Sequence, residues 1–372
     1  MPLNAYAVLD IFVCGVRLLL SVLILGSAGH ALFGRRRLAA PDGQDVTESR
    51  GYLALLLGMV LFVLSLAAWP LLYLLLASLI PQWPGVMCIY GVTQIGRGSQ
   101  LSSRHLPGIL TAMELCRPLV VFLAGAWFVA YRTATTGISD LSTRAATLPS
   151  RGIGTPIVLG LLLALALASL VDSGLETAYL LIPKRAAVAE GGCCSIAQPG
   201  SRGADGVLSR NGEAPLYLWW GEAAVIGGMI LGLAALAMPR RLRAVSGRKL
   251  SLLAGGAAAA LAVTGVFLVD VAAPRLLGLP YHHCVYCLFA DVPESLLAIA
   301  ALVGGSFAIG WAGVVWMASR NVGAGSSTGI GGDAVAAQRN AVTTRLLRWG
   351  LLGYATFGVM MPLELALARF LP

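Results

Sequence analysis

Pro156-Ile157-Val158-Leu159-Gly160-Leu161-Leu162-Leu163-Ala164-Leu165-Ala166-Leu167-Ala168-Ser169-Leu170-Val171 carries no charged side chain and a single hydroxyl, and the next residues are Asp172 and, four further on, Glu176. A helix rises 1.5 Å per residue, so this run and the turn after it are long enough to cross the hydrocarbon of a bilayer. Comparable runs stand at about 8–33, 52–80, 107–131, 155–182, 217–238, 250–274, 293–319 and 347–370. Lipid leaves no water to satisfy a bare backbone, so each run is expected to be a helix. The chain therefore reads as an all-α polytopic integral membrane protein of about eight transmembrane helices.

Composition agrees. Of 372 residues, 58% are hydrophobic and 12% charged, and the mean hydropathy is +0.81, which excludes an ordinary soluble domain. No basic residue precedes the first run and Arg35-Arg36-Arg37 follows it, so that run reads as a retained span rather than a cleaved signal. The loops at 34–51, 132–154, 239–249 and 320–348 carry 16 Lys and Arg, and those at 81–106, 183–216 and 275–292 carry 7. The positive-inside rule then puts the first set in the cytoplasm and both termini outside. In a bacterium this is the inner membrane, with the second set of loops in the oxidising periplasm. The formal charge of +9 is accounted for by orientation, and no basic helix or aromatic ladder points to nucleic acid. The expected partners are the lipid bilayer and a periplasmic protein or membrane complex.

The domain reading is an N-terminal four-helix membrane half at 1–183, a flexible extracytoplasmic loop at 184–216 and a C-terminal four-helix membrane half at 217–372. Cys88-Ile89-Tyr90 follows span two and Cys284-Val285-Tyr286 follows span six; Leu175-Glu176-Thr177-Ala178 near the end of span four parallels Leu363-Glu364-Leu365-Ala366 near the end of span eight. The pattern reads either as two parallel four-helix repeats about an axis along the membrane normal or as chance likeness of short apolar strings. The Gly/Ser-rich run 323–329 lacks the Gly-Lys-Ser/Thr ending of a phosphate loop and reads as a linker. Glycines crowd spans five to seven, which predicts close helix packing there.

Charge inside lipid is costly and is a functional hypothesis by default. Arg17, Glu114, Arg117, Asp172, Glu176, Glu222, Asp270, Glu294 and Glu364 all fall within spans or at their ends. Glu114 and Arg117 share a helical face as a possible ion pair, and Asp172 and Glu176 put two carboxylates on another. Pro118 is expected to kink span three beside them. Glu114, Arg117, Asp172 and Glu176 are accordingly the candidate cofactor-binding set. Asp270 and Glu294 read as structural, the latter in a helix start capped by Asp291 with Pro293 in the first turn.

Of the seven cysteines, Cys88, Cys193, Cys194, Cys284 and Cys287 fall in outer loops, while Cys14 and Cys116 lie in spans and read as inert. His282-His283-Cys284-Val285-Tyr286-Cys287 is the densest group. A Cys-x-x-Cys spacing lets two sulfurs meet across one turn, as a redox pair or as ligands of a soft metal. His282, His283, Cys284 and Cys287 are the candidate metal ligands; Cys284, Cys287, Cys88, Cys193 and Cys194 are the candidate redox residues. If the repeat holds, Cys287 is the second half's addition where the first has Gly91.

Cys284 to Leu288, with Cys88 as a loop partner, locally resembles the vitamin K epoxide reductase type of membrane thiol oxidoreductase. The resemblance implies a four-helix core, a Cys-x-x-Cys inside a helix end and a quinone cofactor. Here Asp291 and Pro293 place a helix start after the motif, a departure from that pattern. Three readings stand side by side: thiol–disulfide redox coupled to a quinone, binding or transport of a soft transition metal such as copper or zinc, and a non-catalytic membrane subunit with structural disulfides.

Overall fold

The computed structural model describes residues 4–34, 41–82, 86, 88–93, 102–142, 156–182, 207–208, 216–237, 246–279, 282–323 and 330–368. Cys193 and Cys194 lie outside them. The described residues are almost all helical, with no strand among them: α1 (Ala5–Gly34), α2 (Pro41–Leu79), α3 (Ile89–Thr93), α4 (Leu106–Ser142), α5 (Pro156–Leu181), α6 (Leu216–Ala237), α7 (Gly247–Phe267), α8 (Ala273–Leu276), α9 (Val285–Asp291), α10 (Pro293–Gly323) and α11 (Ile330–Leu367). Short 3₁₀ turns stand at Ile80–Gln82 and Ser102–His105, and a π turn at Leu268–Ala272 joins α7 to α8. Eight helices are long and apolar enough to cross a membrane, and the protein is an all-α polytopic membrane protein.

The chain divides into two compact units, Met1–Gly192 and Cys193–Pro372. In the first, α1 packs on α2 and α5, and α4 packs on α5 and α2, closing a ring of four. In the second, α6 packs on α7 and α11, and α10 packs on α11 and α7. In each ring, spans consecutive in sequence are neighbours in space, as is usual in helix bundles. The outer faces suit lipid: Phe12 and Leu115 are 66% and 73% exposed, as are Trp220 and Leu231 at 70% and 72%.

Small residues make room where helices meet. In the first unit Trp127 is fully buried over Gly58, where a methyl group would stand 2.8 Å from the indole Cζ2 and from Leu162 Cδ1. In the second, a Cβ at Gly353 would stand 2.3 Å from the Ala301 carbonyl oxygen and 2.9 Å from Gly305 Cα. The backbones of α10 and α11, spans seven and eight, thus approach each other closely at these glycines. Glycines of spans five and six meet neighbours too, Gly232 facing Leu253 and Gly256 facing Met229 Sδ between α6 and α7, whereas Gly228, Gly255, Gly265, Gly304 and Gly313 face nothing within 4 Å. Number of glycines does not reveal which face they occupy.

α4 continues as helix through Pro118 and α2 through Pro70. At the far end of α7 a third proline has a larger effect. Pro274 has no N–H to donate, and the ladder before it widens to the π register, with Ala273 N–H bonding to the Leu268 carbonyl. Gly278, at φ +64°, then ends α8 in the left-handed region that glycine enters without strain. The reversal leads into the segment that carries Cys284.

Candidate functional site

In the second unit, the π turn organises the segment bearing the cysteine pair. The Val269 carbonyl would ordinarily be served by the N–H four or five residues ahead. Ala273 N–H is committed to Leu268, and Pro274 has none. The orphaned oxygen accepts a hydrogen bond from His283 Nδ1 at 2.9 Å. A carbonyl only accepts, so Nδ1 carries the hydrogen, and in a neutral ring Nε2 then holds the lone pair. That Nε2 is buried without a hydrogen-bond partner among the described residues. One residue on, the Asp270 carboxylate accepts the backbone N–H groups of Val207 and Leu208, each at 2.6 Å. Asp270 therefore fastens the loop between α5 and α6 to the same turn.

Cys284 sits directly before α9, in extended backbone, and its carbonyl accepts Leu288 N–H at 3.1 Å to open the helix. Cys287 is in the first turn. This brings the two Sγ atoms within 4.8 Å of each other, with Cys284 buried and Cys287 half-buried. A cysteine pair so placed could hold a soft metal ion or exchange between dithiol and disulfide. Neither His282 nor His283 completes a set of three ligand atoms all within that spacing, among the described residues. Burial disfavours the charged form of His282 and holds its pKa below the ordinary 6.5; His283 acts in the same direction and Asp291 opposes it. The motif thus spans the start of its own short helix. Asp291 is the last residue of α9 rather than the cap of the next helix, and Ser295 N–H and Oγ bond instead to the Val292 carbonyl.

Cys88, in the first unit, occupies a parallel local setting. It is buried, directly precedes the short helix α3, and its carbonyl accepts Val92 N–H at 3.3 Å. The loop is held by Val86 and Val92, which pack with Leu72, Leu76 and Leu106. Gly91, three residues after Cys88, is buried inside α3.

The first unit also holds a dense charged cluster. Arg17 on α1 donates from Nη2 to Asp172 Oδ2 at 2.7 Å, and its Nη1 lies 3.6 Å from Glu176 Oε2. Arg117 on α4 reaches Asp172 through Nε at 3.2 Å and Glu176 through Nη2 at 2.5 Å. Its Nη1 donates to the Ala68 carbonyl of α2. All four side chains are at most 2% exposed. The i, i+4 spacing of Asp172 and Glu176 on α5 presents both carboxylates to both guanidinium groups, and three helices meet through the result. Glu114, on the same helix as Arg117, is half-buried.

Three of the four residues read as cofactor-binding therefore engage one another. Arg17 completes their charge, and Asp10, on the same helix as Arg17, is also buried. Asp10 carried no signal beyond its position near a helix start, where an acid ordinarily faces water. Glu222 accepts a 2.7 Å bond from Thr264, and Glu364 has both oxygens buried without a hydrogen bond among the described residues.

No protein family, curated protein or solved structure matches this chain. Function rests on the residues themselves.

Proposed function

We propose that the protein is a membrane thiol–disulfide oxidoreductase whose working pair is Cys284 and Cys287. The observation that carries this reading is the approach of their sulfurs to within 4.8 Å at the start of α9, one half-exposed for exchange and one buried behind it. Oxidation of the dithiol forms one S–S bond and releases two electrons and two protons. The acceptor is a second cysteine pair drawn from Cys88, Cys193 and Cys194, or a quinone, and the partner is a periplasmic protein dithiol or disulfide. The site faces the periplasmic side of a bacterial inner membrane, with both termini on that side, as the asymmetry of basic loop residues supports.

A single-cysteine trap tests it. In Cys284→Ser or Cys287→Ser protein, the remaining thiol is expected to capture a mixed disulfide with Cys88, Cys193, Cys194 or a periplasmic partner, releasable by reductant. Absence of any such adduct from both variants, with normal insertion in the membrane, counts against exchange and favours a non-catalytic subunit.

A second reading, soft-metal binding, is favoured by His283. A backbone carbonyl holding Nδ1–H while Nε2 stays unpartnered is the arrangement in which imidazoles serve as metal ligands. Cys284 and Cys287 would join it, and His282, disposed to remain neutral, would be a further ligand. Copper(I) or zinc that stays with purified protein and is lost in His283→Ala supports this reading; metal-free protein that takes up neither ion removes it.

A further inference from the structure

The connection between spans six and seven, 275–292, has one basic residue, Arg275. It belongs to the set of loops poor in Lys and Arg, where a positive charge is disfavoured, so its presence calls for a local reason. Arg275 is exposed and stands in the last turn of span six, Gly247–Leu276, while Trp219 stands in the first turn of span five, Leu216–Ala237. The two meet at one end of the second unit, with the guanidinium carbon 4.8 Å from the centroid of the indole. Trp219 is set in turn by the edge of Phe267, with ring centroids 5.4 Å apart and planes at 88°, and Phe267 is buried. The backbone under Arg275 is fixed as well, between buried Pro274 and Gly278, whose N–H bonds to the Arg275 carbonyl at 3.4 Å.

A cation–π contact is electrostatic and uses none of the five N–H donors of the guanidinium. Among the described residues no carboxylate is paired with Arg275. The two nearest acids in sequence to this contact face elsewhere: Asp270 accepts the Val207 and Leu208 amides, and Glu222 accepts the Thr264 hydroxyl at 2.7 Å. The surroundings are amphipathic. Tyr217 and Trp220 are 61% and 70% exposed beside Trp219, with Leu216 and Leu279 also exposed. Exposed Trp and Tyr at the end of a span sit at the level of lipid headgroups, which puts the charge of Arg275 at the depth of the lipid phosphates.

We propose that Arg275, held on Trp219, binds the phosphate of an anionic phospholipid in the leaflet at this end of the second unit. The guanidinium fork donates to two phosphate oxygens, and the lipid's net negative charge supplies what no carboxylate supplies to Arg275. In a zwitterionic lipid the headgroup ammonium already offsets the phosphate. The exposed aromatic and leucine side chains favour a lipid over a soluble phosphate, because only the lipid brings apolar surface to cover them. The inference is independent of the thiol and metal readings.

The test titrates the full chain in detergent with phosphatidylglycerol or phosphatidylcholine and counts bound lipid by native mass spectrometry. Wild-type protein is expected to bind one phosphatidylglycerol about tenfold more tightly than phosphatidylcholine, and Arg275→Gln to bind the two alike. Equal binding of the two lipids by wild-type protein overturns the proposal, as does a preference that persists in Arg275→Gln. Displacement of the lipid by millimolar inorganic phosphate would show a soluble-anion site and overturns the lipid assignment. A second measurement needs no variant, so it stands even if Arg275→Gln fails to assemble: phosphatidylglycerol with a photoreactive headgroup is crosslinked to wild-type protein in nanodiscs. Label on the peptides bearing Trp219 and Arg275 is expected, and label confined to other peptides overturns the site.

Discussion

Arg17 and Asp172, separated by 155 residues in sequence, meet at 2.7 Å with neither side chain exposed. Both are within the apolar length of their helices, so each supplies the charge that makes the other tolerable. Removing one partner of a buried pair leaves an uncompensated charge and typically costs about 3–5 kcal/mol, whereas replacing both with apolar groups is often neutral. Arg17→Met is therefore expected to lower the stability of the protein by about that amount. The double variant Arg17→Met/Asp172→Leu is expected to recover only part of it, because Arg117 still needs Asp172. Thermal unfolding in nanodiscs reads both; an undamaged single variant contradicts the account.

Gly353 and Gly255 form a matched contrast. A methyl group at Gly353 would run into the Ala301 carbonyl oxygen at 2.3 Å, and one at Gly255 meets nothing within 4 Å. Backbone cannot rotate away as a side chain can, so Gly353→Ala is expected to cost more than the roughly 1–3 kcal/mol of ordinary overpacking. Gly255→Ala is expected to be neutral or to stabilise by up to about 1 kcal/mol through helix propensity. Equal unfolding midpoints for the two would refute the packing of α10 on α11.

Asp270 holds the loop between α5 and α6 through the Val207 and Leu208 amides. A hydrogen bond to a charged group contributes about 1.5–3 kcal/mol, or roughly a 10- to 100-fold change in an equilibrium. Asp270→Ala is expected to speed hydrogen exchange at Val207 and Leu208 by that order while amides in the middle of α5 stay protected. Unchanged exchange at these two positions would contradict the anchoring role.

Pro274 is the sequence reason that the Val269 carbonyl is available to His283. Pro274→Ala restores an N–H and lets the ladder compete for that carbonyl. The expected outcome is a His283 ring that loses its fixed Nδ1 hydrogen bond, visible as a change in the ¹⁵N shifts of that imidazole, with the membrane fold retained. An unaltered imidazole signal would show that His283 is held by other means.

His282 predicts a pH dependence. Its pKa is lowered from 6.5, first by burial, so on acidification the unfolded chain takes up the proton before the folded one does. The contribution of this residue to stability is whole above pH 6.5 and is lost as pH falls through that value toward the lower folded one. His282→Gln is expected to flatten the acid limb of the stability profile over that window. A steeper limb in the variant would reverse the sign and contradict the burial of this ring.

The membrane architecture was readable because hydropathy is additive: eight apolar runs report themselves one at a time. Pairings across the bundle do not. Asp172 and Glu176 announce a shared face by spacing alone, but that Arg117 turns to them, together with Arg17, depends on which helices are neighbours. Asp10 gave no sign, since an acid five residues into a helix ordinarily faces water. The cysteine spacing pointed to contact between Cys284 and Cys287, while the helix they open was hidden by its shortness and by the stronger start at Pro293. The hold on His283 needed both the proline and the π register to be seen together.

The most direct test of the central claim counts thiols. Intact membranes are equilibrated in glutathione buffers of graded potential, quenched with acid, and alkylated with a mass-tagged maleimide, and the peptide bearing Cys284 and Cys287 is measured. The account predicts that both sulfurs convert together, by two tags, in a single two-electron transition. A peptide that keeps both thiols, or neither, across the whole range would contradict it.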